Sequence, residues 1–175
     1  MARTEKIVLK RLRASYPKLF ERDTMSGKYG CDLLILKNDP QLDAFKRVCD
    51  LVAKDCKDCN PKKAIKMELL TDGAEKAEEL SGYFIIKAKT NQDSIRNNVF
   101  RRTEMGLVQV EDDGSFYGGC NCEASVSVHW YDFEGKVGLH VLLNGICQTD
   151  GGEPFGSDGS ARGDFEDGSE EEDPV

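Results

Sequence analysis

The chain has 175 residues, 39% hydrophobic and 32% charged, which suits one domain with a single core and is short for two. Its formal charge is −8, from 24 basic and 32 acidic residues, and taken whole that balance speaks against a protein that binds a polyanion. No run approaches the roughly 18 apolar residues of a membrane span. The start leads straight into a strand-like stretch rather than a signal peptide, the seven cysteines are an odd count, and no Asn-x-Ser/Thr sequon occurs. Those features suit a reducing cytoplasm and no membrane partner.

Residues 5–13 mix β-branched and basic side chains and predict a strand that ends at Ser15-Tyr16-Pro17, with a loop through Asp23. Ser26-Gly27 is a turn signal, and Lys28 to Lys37 reads as a second strand. A helix follows, because Leu42, Phe45, Val48, Cys49, Val52 and Cys56 recur at helical spacing. Asp39 is its expected N-cap and Pro40 its first residue. Asn60-Pro61 ends it, and a short basic helix is expected through Leu70. Strands return at Gly82 to Thr90 and at Asn98 to Arg102, and Asp112-Asp113-Gly114 is a turn. Asn121 to Phe133 and Lys136 to Cys147 form the clearest hairpin, closed at Glu134-Gly135. In the first arm Ala124, Val126, Val128 and Trp130 share one face, with Ser127, His129 and Tyr131 opposite. The second arm puts Val137, Leu139, Val141 and Leu143 on one face and Gly138, His140 and Leu142 on the other.

After Thr149 the apolar pattern stops. Residues 149–175 hold ten acids and one base, whereas residues 1–148 hold 23 bases and 22 acids, so the charge divides into −9 and +1. A segment of Gly, Ser and acids cannot bury enough surface to offset the entropy of ordering, and disorder is expected there. The reading is therefore a mainly β, OB-like small barrel with one main helix over 1–148, followed by a disordered acidic tail over 149–175.

Motifs for catalysis are scarce. Gly-x-Ser-x-Gly, a P-loop and His-Glu-x-x-His are absent, and the two histidines fall in strands, so no enzyme activity is expected. Cys56-Lys-Asp-Cys59 and Cys120-Asn-Cys122 bring four thiols that zinc could use, but the second spacing is poor for it and Cys56 continues the apolar stripe of the helix. Free thiols, no metal and no cofactor are expected.

Basic residues interleaved with aromatics carry the functional signal. Lysines and arginines can track phosphates while aromatic faces stack on unpaired bases, each stacked base contributing about 1–3 kcal/mol. The residues that fit are Lys10, Arg13, Tyr16, Lys28, Tyr29, Lys87, Lys89, Arg101, Arg102, Tyr117 and Tyr131. The bland alternative makes the aromatics core and the bases a solvated face. In the tail, Asp164, Phe165, Glu166, Asp167, Glu170, Glu171, Glu172 and Asp173 form an acidic segment with no base among them. Tethered to the body, it can mimic a polyanion, compete for a basic groove, and meet partner proteins once displaced.

Leu12-Arg-Ala-Ser-Tyr-Pro-Lys-Leu-Phe20 and Lys28-Tyr-Gly-Cys-Asp-Leu-Leu-Ile-Leu-Lys-Asn-Asp-Pro40 resemble a family of bacteriophage single-stranded DNA-binding proteins. Phe116-Tyr-Gly-Gly119, Tyr131-Asp-Phe-Glu-Gly135 and Gly138 through Leu143-Asn-Gly-Ile146 extend the resemblance over residues 6–150. The layout is similar to the corresponding proteins of T7-like phages. The resemblance implies an OB-like barrel that coats single-stranded DNA without sequence preference in replication and recombination, in the host cytoplasm, and recruits replication proteins through the tail. Tails of this kind often end in an aromatic residue. This chain ends Glu172-Asp-Pro-Val175, with Phe155 and Phe165 internal, so electrostatic competition is expected rather than docking of a terminal ring. A second copy of the chain is a further candidate partner. Two rival readings are an OB-like protein-interaction module without a DNA role and, ranked far behind it, a small hydrolase using His129 or His140 with a cysteine.

Overall fold

A computed structural model describes residues 4–111 and 116–152 of the chain. Nine strands and one α-helix organise it: β1 (Glu5–Lys18), β2 (Tyr29–Leu36), α1 (Gln41–Cys59), β3 (Ile65–Lys66), β4 (Thr71–Asp72), β5 (Tyr83–Thr90), β6 (Val99–Thr103), β7 (Gly106–Gln109), β8 (Asn121–Phe133) and β9 (Lys136–Gln148). Five of them close a ring in the order β1, β2, β5, β9, β8 and back to β1. Every junction is antiparallel except β5–β9, where Ala88 pairs with Val141 and Lys89 with Leu142 in parallel. This is a small five-stranded barrel of the OB type, as the alternation predicts.

Alternation fills the barrel. Leu9, Leu12 and Ala14 of β1, Leu33 and Ile35 of β2, Ile86 and Ala88 of β5, Ala124, Val126 and Val128 of β8, and Val137, Leu139, Val141 and Leu143 of β9 are all buried in one core. The β8–β9 turn is the expected one: Glu134 and Gly135 both have positive φ, 52° and 82°, the conformation whose twist matches a two-residue hairpin. Helix α1 covers the barrel with Leu42, Phe45, Val52 and Cys56, and the Trp130 indole donates to Asp55 at 2.7 Å to tie β8 to it.

Several expectations shift. The first strand does not end at Ser15 but runs to Lys18, because Pro17 lies in an irregularity of the β1–β2 register between Ser15 and Lys18, where no ladder N–H is needed. Tyr16 there has φ 49°. A second irregularity, between Leu9 and Leu12, puts Arg11 at φ 56°. Its guanidinium pairs with Asp39 at 3.0 Å, and the Gln41 side-chain amide bonds both backbone groups of Lys10. The helix begins one residue later than expected, at Gln41. Pro40 is already helical in φ and ψ, and the Asp39 carboxylate accepts the Gln41 N–H at 3.0 Å.

The basic helix expected through Leu70 is absent. After Pro61 the chain turns and extends, and β3 adds in parallel to β9, which satisfies its backbone without a helix. The 98–102 strand is present as β6, one residue displaced. Its partner β7, unforeseen, makes a hairpin that pairs with the barrel through β9. The turn expected at Asp112-Asp113-Gly114 lies outside the described residues, as does the expected tail (149–175) from residue 153 on; its first residues, Thr149 to Gly152, are not disordered but held by hydrogen bonds with Asn121 and Tyr117.

Candidate nucleic-acid interface

Pairing of β1, β2 and β5 assembles a surface that no local segment contains. Lys87 stands opposite Asp32 and Lys89 opposite Gly30, while Lys18 stands opposite Gly30 on the other side. These residues point away from the core, since their neighbours Cys31, Leu33, Ile86 and Ala88 fill it. Together with Tyr16, Asp23, Ser26, Lys28 and Tyr29 they line a groove of about 280 Å³. Four lysines face two aspartates there, so the groove is net positive.

Gly30 shapes its floor. A Cβ at that position would lie 2.5 Å from the Ala88 carbonyl oxygen, so only glycine lets β2 and β5 approach this closely. Tyr16 stands on the rim, 77% exposed, on a backbone conformation that a non-glycine residue adopts at a cost. That cost places an uncovered aromatic ring beside the lysines. Asp32, half-buried below them, has its carboxyl pushed up by burial, against the pull of Lys87, Lys89 and Lys76.

Tyr29 plays a different part from the one expected. It is 3% exposed, its ring lies under the guanidinium groups of Arg22 and Arg96 at 4.8 and 5.6 Å, and its hydroxyl donates to Asp93 at 2.8 Å. A base cannot stack on a ring so covered. Arg22 also donates to the Gly27 and Asn91 carbonyls and to Asp93, stapling the β1–β2 loop to the 3₁₀ turn at Asp93–Asn97. The Tyr29 hydroxyl first, and then Arg22, hold the Asp93 carboxyl below its ordinary range. Tyr29 thus supports the end of the groove from beneath.

The remaining expected residues fall elsewhere. Lys10 is exposed beside the start of α1. Arg13 is half-buried and donates to the Gly119 carbonyl at 3.1 Å and to the Tyr83 hydroxyl at 3.4 Å, a scaffold role. The Tyr117 hydroxyl lies 2.7 Å from the carbonyls of both Gly151 and Gly152, and Asn121 donates to Asp150 and Gly151. Tyr117 therefore straps the root of the tail to β8 and is not an open platform. Arg101 and Arg102 sit on the β6–β7 hairpin, with Arg102 paired to Glu123 at 2.9 Å. Arg102 borders a second groove of about 350 Å³, walled by Val8, Phe100, Leu107 and Ile146 among others.

Tyr131 is half-buried on the outer face of β8. Its ring lies 5.5 Å from that of His140, which stacks on His129 at 5.4 Å with 1° between the planes. Burial, and then His129 and Lys28, hold the His140 imidazole below its ordinary pKa. Among the described residues, no three His, Cys, Asp or Glu side chains converge to hold a metal ion. Cys31, Cys56, Cys120 and Cys122 are buried thiols. Lys18, Gly30 and His140 are not among the DNA contacts that the sequence points to. Lys18 follows a proline read as the end of a strand, and only the β2–β5 register gives Gly30 its meaning.

A closed OB-type barrel with a basic groove across its second and third barrel strands belongs to a class that binds oligonucleotides or oligosaccharides on that face. Within that class, the chain belongs to the family of the Enterobacter phage Enc34 single-stranded DNA-binding protein, whose family model matches residues 5–175. No curated protein sequence matches the chain. Among solved structures it is similar to the single-stranded DNA-binding protein from bacteriophage Enc34, at 22% identity and TM-score 0.68, over 93% of this chain and 90% of that one. The same phage protein in complex with single-stranded DNA aligns at 22% identity and TM-score 0.64, over 86% and 89%. The single-stranded DNA-binding protein gp2.5 of bacteriophage T7 aligns at 18% identity and TM-score 0.63, over 99% of both chains. At these identities the likeness establishes the shared fold. Among the described residues, no helix is long and apolar enough to cross a membrane.

Proposed function

We propose that this chain is a non-enzymatic protein that binds single-stranded DNA without sequence preference, in phage replication or recombination in the host cytoplasm. The observation that carries this reading is the groove on β1, β2 and β5, where Lys18, Lys28, Lys87 and Lys89 meet the exposed ring of Tyr16. Family membership and the relative's complex with single-stranded DNA support the same ligand. Lysines neutralise phosphates, the ring stacks on an unpaired base, and neither reads base identity.

The acidic tail acts as a tethered competitor. Its local concentration at the body is on the order of millimolar, and DNA that displaces it frees the acids from Asp164 to Asp173 for a replication protein. Fluorescence titration of poly-dT across salt tests both parts. Affinity should fall with salt, with a log–log slope of about 0.7 for each phosphate neutralised. Absence of salt-sensitive binding at micromolar protein overturns the DNA reading in favour of a protein-interaction module. Removal of residues 153–175 should tighten binding at low salt, and equal or weaker binding rules out competition.

A further inference from the structure

The groove has one exposed aromatic end, at Tyr16, and the barrel offers a second. Across the parallel β5–β9 seam, Ala88 pairs with Val141, so Lys87 and His140 stand side by side on the outer face. His140 in turn pairs across strands with His129, and Tyr131 lies beside it. Going outward from β1, the belt reads Tyr16 and Lys18, then Gly30 and Asp32, then Lys87 and Lys89, then His140, then His129 and Tyr131. Along the sheet, β1 and β9 are three strand spacings apart by way of β2 and β5, roughly 14 Å. That span holds about four bases at a stacked rise of 3.4 Å, the lower end of the site size of an OB barrel.

We infer that His140, backed by His129 and flanked by Tyr131, is a second base-stacking end of the single-stranded DNA track, so that the strand crosses the barrel from β1 to β9. This rests on the proposed DNA-binding function and extends it to residues outside the groove itself. His140 is exposed, while its inner neighbour is fixed. The His129 ring is parallel to it, the hydroxyl of Thr4 lies 3.3 Å from His129 Nδ1, and the opposite nitrogen of His129 is buried. A ring held from behind loses little freedom when a base covers its front. His129, Tyr131 and Lys28 are the titratable groups that face His140, with Lys87 beside it across the seam. Burial first, then His129 and Lys28, hold the imidazole below its ordinary pKa, so at neutral pH it meets the base as a flat uncharged ring and not as a phosphate contact.

The test uses the full chain and a fluorescent dT oligomer of about 12 nucleotides at pH 7.5, across salt, with the Lys87→Ala/Lys89→Ala double variant as reference. His140→Ala should weaken binding about tenfold without changing the salt slope or the melting temperature. His140→Phe should restore it, since a phenyl ring stacks but carries no charge. If His140→Ala binds within twofold of the parent while the lysine variant weakens, the second end is overturned and the groove stands. If His140→Ala lowers the salt slope by about 0.7, the residue contacts phosphate and the stacking assignment falls. If neither variant weakens binding, the DNA-binding groove itself is refuted.

Discussion

Two grooves of comparable size lie on the outside of this barrel, and their chemistry differs. The one on β1, β2 and β5, about 280 Å³, sets four lysines against two aspartates beneath an exposed tyrosine. The other, about 350 Å³ between the barrel and the β6–β7 hairpin, has apolar walls, and its Arg102 is already paired with Glu123. Both contain the basic–aromatic mixture that marks a nucleic-acid surface in sequence. What separates them is that strand register leaves the lysines of the first facing solvent together, whereas the arginine of the second is held by a carboxylate. A paired arginine next to valine and leucine stabilises a hairpin as readily as it binds a phosphate.

The largest effect should come from removing the cations that distinguish the two. Lys87→Ala with Lys89→Ala should lower the salt slope of poly-dT binding by about 1.4, that is, two phosphate contacts. Arg101→Ala with Arg102→Ala should change it by less than half as much, and equal losses would erase the distinction between the grooves. Next, Gly30→Val forces a side chain against the Ala88 carbonyl and fills the floor of the first groove. It should destabilise the fold by about 1–3 kcal/mol in denaturant unfolding, as overpacking does elsewhere, and weaken DNA binding as well. A variant of full stability and affinity would show that the close approach of β2 and β5 does not matter.

The smallest effect concerns Asp32. Its raised carboxyl pKa means that it takes up a proton on acidification before an ordinary aspartate does, which removes a negative charge from the track. Binding should therefore strengthen as pH falls toward that raised value, and Asp32→Asn should bind about threefold more tightly at neutral pH and low salt. The variant should also lose this part of the pH dependence. An unchanged pH profile in Asp32→Asn would place Asp32 off the track.

Much of the fold is legible in the chain. The β8–β9 hairpin follows from strict alternation on both sides of Glu134-Gly135, and α1 follows from the spacing of Leu42, Phe45, Val52 and Cys56. What local reasoning misses is short and pairs at a distance. The two-residue strands β3 and β4 exist only because β9 and β5 offer free edges. β1 passes through Pro17 because an irregularity absorbs it. The candidate site divides in the same way. Tyr16, Lys28, Lys87 and Lys89 are expected and do meet, whereas Tyr29 and Tyr117, identical in type, are occupied by Arg22, Arg96 and Asp93 and by the Gly151 and Gly152 carbonyls.

By itself the sequence determined which residues alternate, where the helix and the main hairpin lie, and that a charge of −8 is the sum of a nearly neutral body and a strongly acidic end. Those properties are local, because periodicity of 2 or 3.6 and composition need no distant partner. Only the tertiary structure decided which cations share a face and which aromatic rings are uncovered. Residues 16–18, 28–30 and 87–89 become neighbours through the β1–β2 and β2–β5 registers, and a shift of one residue in either would turn the lysines toward the core.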